Sequence, residues 1–219
     1  MKINLANEIS ALEVWRAERQ LSIESQIAGF KGNFFEEVSE FYRADDEYGK
    51  IDALCDMIVF LINASKSINE MTDKSFEIKQ IVWNGGDKYR NCEFYLENAI
   101  TCLMKCGVGY TDDSVPISYL LSAINALGYN ARMCLGETIK EISSRTGKYN
   151  SELKKFIKDK GAYCEQYVKD LLDFDSTIES YEITENVMHF VADVVYANGA
   201  RNSIKYVKWY SADYSKCNR

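Results

Sequence analysis

Two pairs of acidic residues are the part of this chain best suited to chemistry. Glu37 and Glu40 lie in F-F-E-E-V-S-E-F, and Asp52 and Asp56 lie in I-D-A-L-C-D-M-I-V-F-L-I. Asp56 is the one charged residue in the apolar stretch 53–62, where a carboxylate is costly unless a partner compensates its charge. Clustered carboxylates commonly bind hard divalent cations. The pattern therefore predicts a Mg²⁺ site, with Mn²⁺ as an alternative ion.

Spacing predicts how the two pairs would meet. Residues three or four apart share a helix face, so each pair should project from one side of its own helix. The connection at 43–50 is short and polar, which favours antiparallel neighbouring helices. A reversal at Tyr48-Gly49 would bring four carboxylates around one small volume.

Simpler interpretations exist for parts of this pattern. Glu36, Glu37 and Glu40 could form an ordinary solvated helix face, and Asp52 could be a helix N-cap. Asp56 is harder to explain in this way, because no Lys or Arg lies within one helical turn of it.

These residues resemble the MazG-like all-α nucleoside triphosphate pyrophosphohydrolases, a family that includes dimeric dUTPases, dCTPases and many phage enzymes. The family pattern of E-E-x-x-E and a second acidic helix reads E-E-V-S-E at 36–40 and D-A-L-C-D at 52–56. The stretch V-W-R-A-E-R-Q-L is similar to the first helix of the family, and E-T-I-K-E-I-S-S-R-T-G-K-Y at 137–149 is similar to its fourth-helix region. Asn33 stands where many members carry a Lys.

The resemblance implies an all-α, MazG-like helical bundle. The core would span 1–150 and include a helical insert at about 67–115, and 151–219 would be a C-terminal extension packed on that core. Family members often assemble as dimers or tetramers, so the resemblance also implies a homo-oligomer.

The implied activity is Mg²⁺-dependent hydrolysis of a nucleoside triphosphate to the monophosphate and pyrophosphate. Glu37 would act as general base and, with the other three acidic residues, as a metal ligand, and Lys140 and Arg145 would contact the substrate phosphates. Asn63 and Lys158 are further candidates for substrate binding, although the basic run around Lys158 is usually a solvated face. The predicted metal ligands are Glu37, Glu40, Asp52 and Asp56.

Other functions remain open at this point. The same chemistry could act on an alarmone, or the chain could be a helical nucleotide- or protein-binding regulatory protein without turnover. The net charge of −7 argues against a nucleic-acid polymer as partner, because general nucleic-acid binding requires a basic surface.

Composition and cysteine usage suggest the compartment. The first residues, M-K-I-N-L-A-N-E, lack the apolar core of a signal peptide, and the longest apolar run, 57–62, is too short to cross a bilayer. The 7 cysteines are scattered without a C-x-x-C pair, as in reduced proteins. We therefore expect a cytoplasmic protein without a membrane partner.

Long helices are expected because the chain contains 1 proline in 219 residues, and proline is excluded from helix interiors. The stretch 181–196 could be helix or a short hairpin strand, and the aromatic tail should dock on the body or on a partner subunit. Apolar spacing and turn residues predict helices over 8–28, with a break or a kink bracketed by Gly29 and Gly32, and over 33–44, 50–68, 88–106, 117–127, 131–146 and 161–172.

Overall fold

The computed structural model describes residues 1–79, 87–106, 113–153 and 155–219, without the side chain of Cys106. The chain forms two compact units, of which the first comprises Met1–Ile139 with Asp213–Arg219 and the second comprises Lys140–Ala212. The division into a core at 1–150 and an extension at 151–219, which the family resemblance implies, stays a prediction. Parts of the predicted insert, residues 80–86 and 107–112, lie outside the described residues.

The first unit is mainly helical. Its two short strands pair antiparallel, with Ile3 opposite Phe76. The elements are β1 (Lys2–Asn4), α1 (Ala6–Glu18), α2 (Ile23–Arg43), α3 (Glu47–Ala64), α4 (Lys66–Glu70), β2 (Ser75–Glu77), α5 (Lys88–Cys106), α6 (Ser114–Ala126), the first part of α7 (Ala131–Ser144) and a 3₁₀ turn (Tyr214–Cys217).

The second unit overturns the all-α prediction. It contains β3 (Gly147–Asn150), β4 (Lys155–Lys158), β5 (Gly161–Ala162), α8 (Glu165–Asp173), β6 (Ile178–Glu185), β7 (His189–Tyr196) and β8 (Arg201–Lys208). The last three strands form an antiparallel meander, and β5 adds parallel to β8, which gives the order β5-β8-β7-β6. The predicted helical insert is also interrupted by a strand, β2.

Alternation along β7 explains why this stretch is a strand. Phe190, Ala192 and Val194 are buried at a spacing of two, and together with Val168 and Leu172 they form one apolar cluster. A period of two puts these side chains on one face of a sheet, where α8 covers them. The turn to β8 contains Gly199 with φ +79, a conformation that glycine adopts without steric cost.

The first helix break lies earlier in the sequence than predicted. α1 ends at Glu18, and α2 begins after Ser22, whose side chain accepts a hydrogen bond from the Ser25 amide at 3.2 Å. Gln20, with φ 53, makes the turn between the two helices. α2 continues through both Gly29 and Gly32, so a break at the glycines was wrong, and the alternative of a kink there stays a prediction.

A hairpin of α2 and α3 is the central feature of the first unit. α2 ends at Arg43, and the side chain of Asp46 caps α3 by accepting a hydrogen bond from the Gly49 amide at 2.8 Å. The reversal therefore occurs at 44–46, just before the predicted Tyr48-Gly49, which lies in the first turn of α3. The two helices pack along each other, and α3 also packs against α1 and α6.

Burial around α3 follows from its composition. A helix that is apolar on nearly all sides belongs in the middle of a bundle, and most of α3 from Ile51 onward is buried. Among the described residues, no helix is both long enough and apolar enough to cross a membrane.

Replacement of Asp46 by alanine should destabilise the hairpin. The change removes the cap of α3, which typically costs about 1 kcal/mol, and we expect a lower midpoint in urea denaturation followed by far-UV circular dichroism. Asp45→Ala is the matched control, because Asp45 is exposed beside the cap. Equal midpoints for the two variants would contradict this role for Asp46.

Candidate metal centre

Glu37 occupies a position that the packing of α2 would otherwise give to an apolar residue. Phe30, Phe34 and Phe41 are buried on one face of this helix, and Glu37 follows Phe34 by three residues and precedes Phe41 by four. The spacing places Glu37 on the same face, and its side chain is half-buried. A carboxylate in such a position requires compensation by a cation or a proton.

α3 supplies the second pair of carboxylates. Asp52 and Asp56 are half-buried, whereas the residues between them, Ala53, Leu54 and Cys55, are fully buried. The helix spacing of four puts both carboxylates on one face. Glu40, on α2, is the most accessible of the four predicted ligands.

The electrostatics of Glu37 indicate that the two pairs face each other. Burial, above all, and then the charges of Asp56, Glu40 and Asp52, with a small contribution from Glu36, raise the pKa of Glu37 to about 8. Like charges raise a carboxyl pKa in this way only when they are close to it. The three neighbours whose charges contribute most are the other three predicted ligands, so the four carboxylates are close enough to interact electrostatically. Their role as metal ligands stays a prediction.

The described residues hold no group of three or more His, Cys, Asp or Glu side chains already arranged to coordinate a metal ion. Mg²⁺ usually takes one or two carboxylates together with water and substrate phosphates, rather than a cage made entirely of protein. The hard oxygen donors of this cluster fit that mode of binding.

Asp52 has a partner that sequence analysis missed. The hydroxyl of Tyr214 donates a hydrogen bond to Asp52 Oδ1 at 2.6 Å, and it lies 2.9 Å from Thr138 Oγ1. Tyr214 is 162 positions away along the chain. The one indication in the sequence was the aromatic character of the tail, which predicted docking but not a target.

Cys55 lies between the two aspartates but is unsuited to nucleophilic chemistry. Its thiol is fully buried, and burial, above all, raises its pKa well above the usual value. Because the thiolate is the reactive form of cysteine, we assign this residue to packing.

Asn63 has a structural partner rather than an open position. It is buried, and its Oδ1 accepts a hydrogen bond from Arg16 Nη1 at 2.7 Å, while Arg16 Nη2 donates to Asn69 Oδ1 at 2.8 Å. This network ties α1 to the end of α3. A role for Asn63 in substrate binding stays a prediction.

The three predicted cationic substrate ligands all belong to the second unit. Lys140 and Lys158 are exposed, and Arg145 forms an ion pair with Glu141 at 2.5 Å. Tyr163 donates a hydrogen bond to the same carboxylate at 2.9 Å. Contacts of these residues with substrate phosphates stay predictions.

No family model matches the chain, and neither a curated protein nor a solved structure is detectably similar to it. Membership of the MazG-like family is therefore a hypothesis that depends on the acidic motif and its geometry.

Glu37→Gln should change how stability depends on pH in metal-free protein. In the wild type, the folded state keeps a proton on Glu37 up to about pH 8, whereas the unfolded chain loses it near pH 4.5. The free energy of unfolding therefore falls as pH rises through this window. The amide cannot ionise, so the variant should lack this part of the decline and gain stability relative to wild type towards pH 8.

Urea denaturation across this pH range, with EDTA present, measures the effect. Glu36→Gln is the matched control, because Glu36 is exposed on the same helix and contributes least to the shift at Glu37. A decline in Glu37→Gln as steep as that of the wild type would contradict the assignment.

Proposed function

We propose that this chain is a divalent-cation-dependent nucleoside triphosphate pyrophosphohydrolase, which converts a (d)NTP to the (d)NMP and pyrophosphate. The observation that carries the proposal is the packed hairpin of α2 and α3, in which Glu37, Asp52 and Asp56 are all half-buried. Burial, and then the charges of the other three acidic residues of the motif, raise the pKa of Glu37 to about 8, which supports this placement. Convergence of these four residues between two helices is what the family resemblance requires.

The donor chemistry supports Mg²⁺ as the ion. Glu37, Glu40, Asp52 and Asp56 offer only hard oxygen ligands, which suit Mg²⁺ and Mn²⁺. Their mutual repulsion, visible in the pKa of Glu37, would be relieved by a bound cation. Binding should therefore release a proton, since metal ligands bind in their deprotonated form.

The bound cation would supply Lewis acidity toward the phosphates and a lower pKa for a water nucleophile. We assign Glu37 to take the proton of that water, because it lies half-buried among the other carboxylates of the motif and would be deprotonated once the cation is bound. A carboxylate held beside the reacting water is a common general base.

The proposed reaction balances as a hydrolysis. The water oxygen bonds to the α-phosphorus, and its proton goes to Glu37. The bond from the α-phosphorus to the oxygen bridging it to the β-phosphorus then breaks, and pyrophosphate leaves with that oxygen. The family resemblance assigns Lys140 and Arg145 to the charge of the leaving group, where cationic donors are effective.

Pyrophosphate release from a panel of dNTPs and NTPs, with Mg²⁺ and with EDTA, tests the activity. We expect release that requires the metal and that prefers certain bases. Absence of release across the panel would contradict the proposal and favour an alarmone substrate or a non-catalytic nucleotide-binding role.

Asp56→Asn and Glu40→Gln should each lower the rate more than about 100-fold, because loss of a metal ligand should cost at least as much as loss of a residue that orients one. Glu36→Gln, on the solvent-exposed side of α2, should keep most of the activity. Activity retained in Asp56→Asn would refute the assignment of the four ligands. A loss of activity in Glu36→Gln equal to that in Glu40→Gln would show that the four predicted ligands do not differ from other carboxylates of α2.

A further inference from the structure

Residues 213–219, which belong to the first unit, contact its residues 128–137 through backbone and side-chain hydrogen bonds. The Cys217 carbonyl accepts a hydrogen bond from the Asn130 amide at 2.7 Å, and the Arg219 amide donates to the Gly128 carbonyl at 3.1 Å. The Asp213 amide donates to Glu137 Oε2 at 3.3 Å. These contacts hold the segment on both sides of Tyr214.

Tyr214 is the residue of this segment that reaches the acidic cluster. Its side chain is 6% exposed, and its hydroxyl contacts Asp52 Oδ1 at 2.6 Å and Thr138 Oγ1 at 2.9 Å. The phenolic proton goes to the carboxylate, and the hydroxyl of Thr138, which also lies 3.2 Å from the Cys134 carbonyl, is the neighbour of the phenol oxygen on the other side. The phenol therefore links α7 to a carboxylate on α3.

The bond to Asp52 is not needed to satisfy the phenol. Thr138 alone could give a buried tyrosine hydroxyl the partner it requires. The main effect of the bond is therefore on Asp52, because the hydrogen bond to Oδ1 restricts the orientation of its carboxylate. The phenol is the donor in this bond, since an ionised carboxylate can only accept.

We propose that Tyr214 is a positioning residue, which orients the Asp52 carboxylate for binding a divalent cation. The inference rests on the proposed function, because it takes Asp52 as one of the ligands. Hydrogen bonds from outer residues fix metal ligands in their binding orientation, and removing such a residue typically weakens metal binding about 10-fold to 100-fold.

Titration of metal-free full-length protein with Mn²⁺ alone, followed by electron paramagnetic resonance, tests this role without substrate or turnover. Tyr214→Phe should weaken Mn²⁺ binding about 10-fold. Tyr95→Phe is the matched control, because it removes another buried phenolic hydroxyl of the first unit, which donates to the Lys79 carbonyl at 2.9 Å. It should bind Mn²⁺ as the wild type does.

Thermal unfolding of the same samples separates positioning from stability. A purely structural role would lower the melting temperature of Tyr214→Phe while leaving its Mn²⁺ affinity unchanged, and this result would overturn the inference. If Tyr214→Phe does not fold in buffer, the titration is repeated with wild type, Tyr214→Phe and Tyr95→Phe in sucrose, an osmolyte that favours the folded state. Mn²⁺ affinity of Tyr214→Phe equal to that of the wild type under these conditions would overturn the inference.

The outcomes separate this inference from the proposed function. Wild-type affinity in Tyr214→Phe, together with lost affinity in Asp56→Asn, would overturn the role of Tyr214 and leave the metal site standing. Absence of Mn²⁺ binding by the wild type would overturn both.

Discussion

The packing of α2 against α3 is the constraint on which the candidate site depends, because it holds like charges together. Phe34 and Phe41 bury one face of α2, and Glu37 shares that face. Burial of the apolar residues is favourable, and it forces the carboxylate of Glu37 into a half-buried position beside Asp52 and Asp56. The raised pKa of Glu37 is the cost of this arrangement, and a bound cation would relieve it.

Contacts with other residues of the first unit hold the hairpin of α2 and α3 in place. Asp46 caps α3, and the Lys50 ammonium lies 4.4 Å from the centre of the Phe41 ring and donates to the Phe41 carbonyl at 3.3 Å. At the other end of α3, the Arg16–Asn63 bond ties it to α1. Tyr214 adds a further restraint, directly on a carboxylate. These restraints would favour the proposed function, because a preorganised site spends little free energy on ordering its ligands.

The sequence predicted features that depend on neighbouring residues, but not contacts between residues far apart along the chain. The helix faces of α2 and α3 follow from local periodicity. Spacing alone therefore predicted that the four carboxylates would lie close enough to interact. α1 ends earlier than predicted, because the side chain of Ser22 caps the start of α2 well before the two glycines. The β-meander was missed as a sheet, although Asn198-Gly199 between two alternating runs is a strong hairpin signal. The bond from Tyr214 to Asp52 spans 162 positions, and no local pattern predicts a contact of that kind.

Anomalous diffraction from crystals of the protein grown with Mn²⁺ would test the central claim most directly. The account predicts a Mn²⁺ peak between α2 and α3, within coordination distance of carboxylate oxygens from both helices, and loss of that peak in Asp56→Asn. A peak elsewhere, or full Mn²⁺ occupancy without a carboxylate from each helix, would contradict the account.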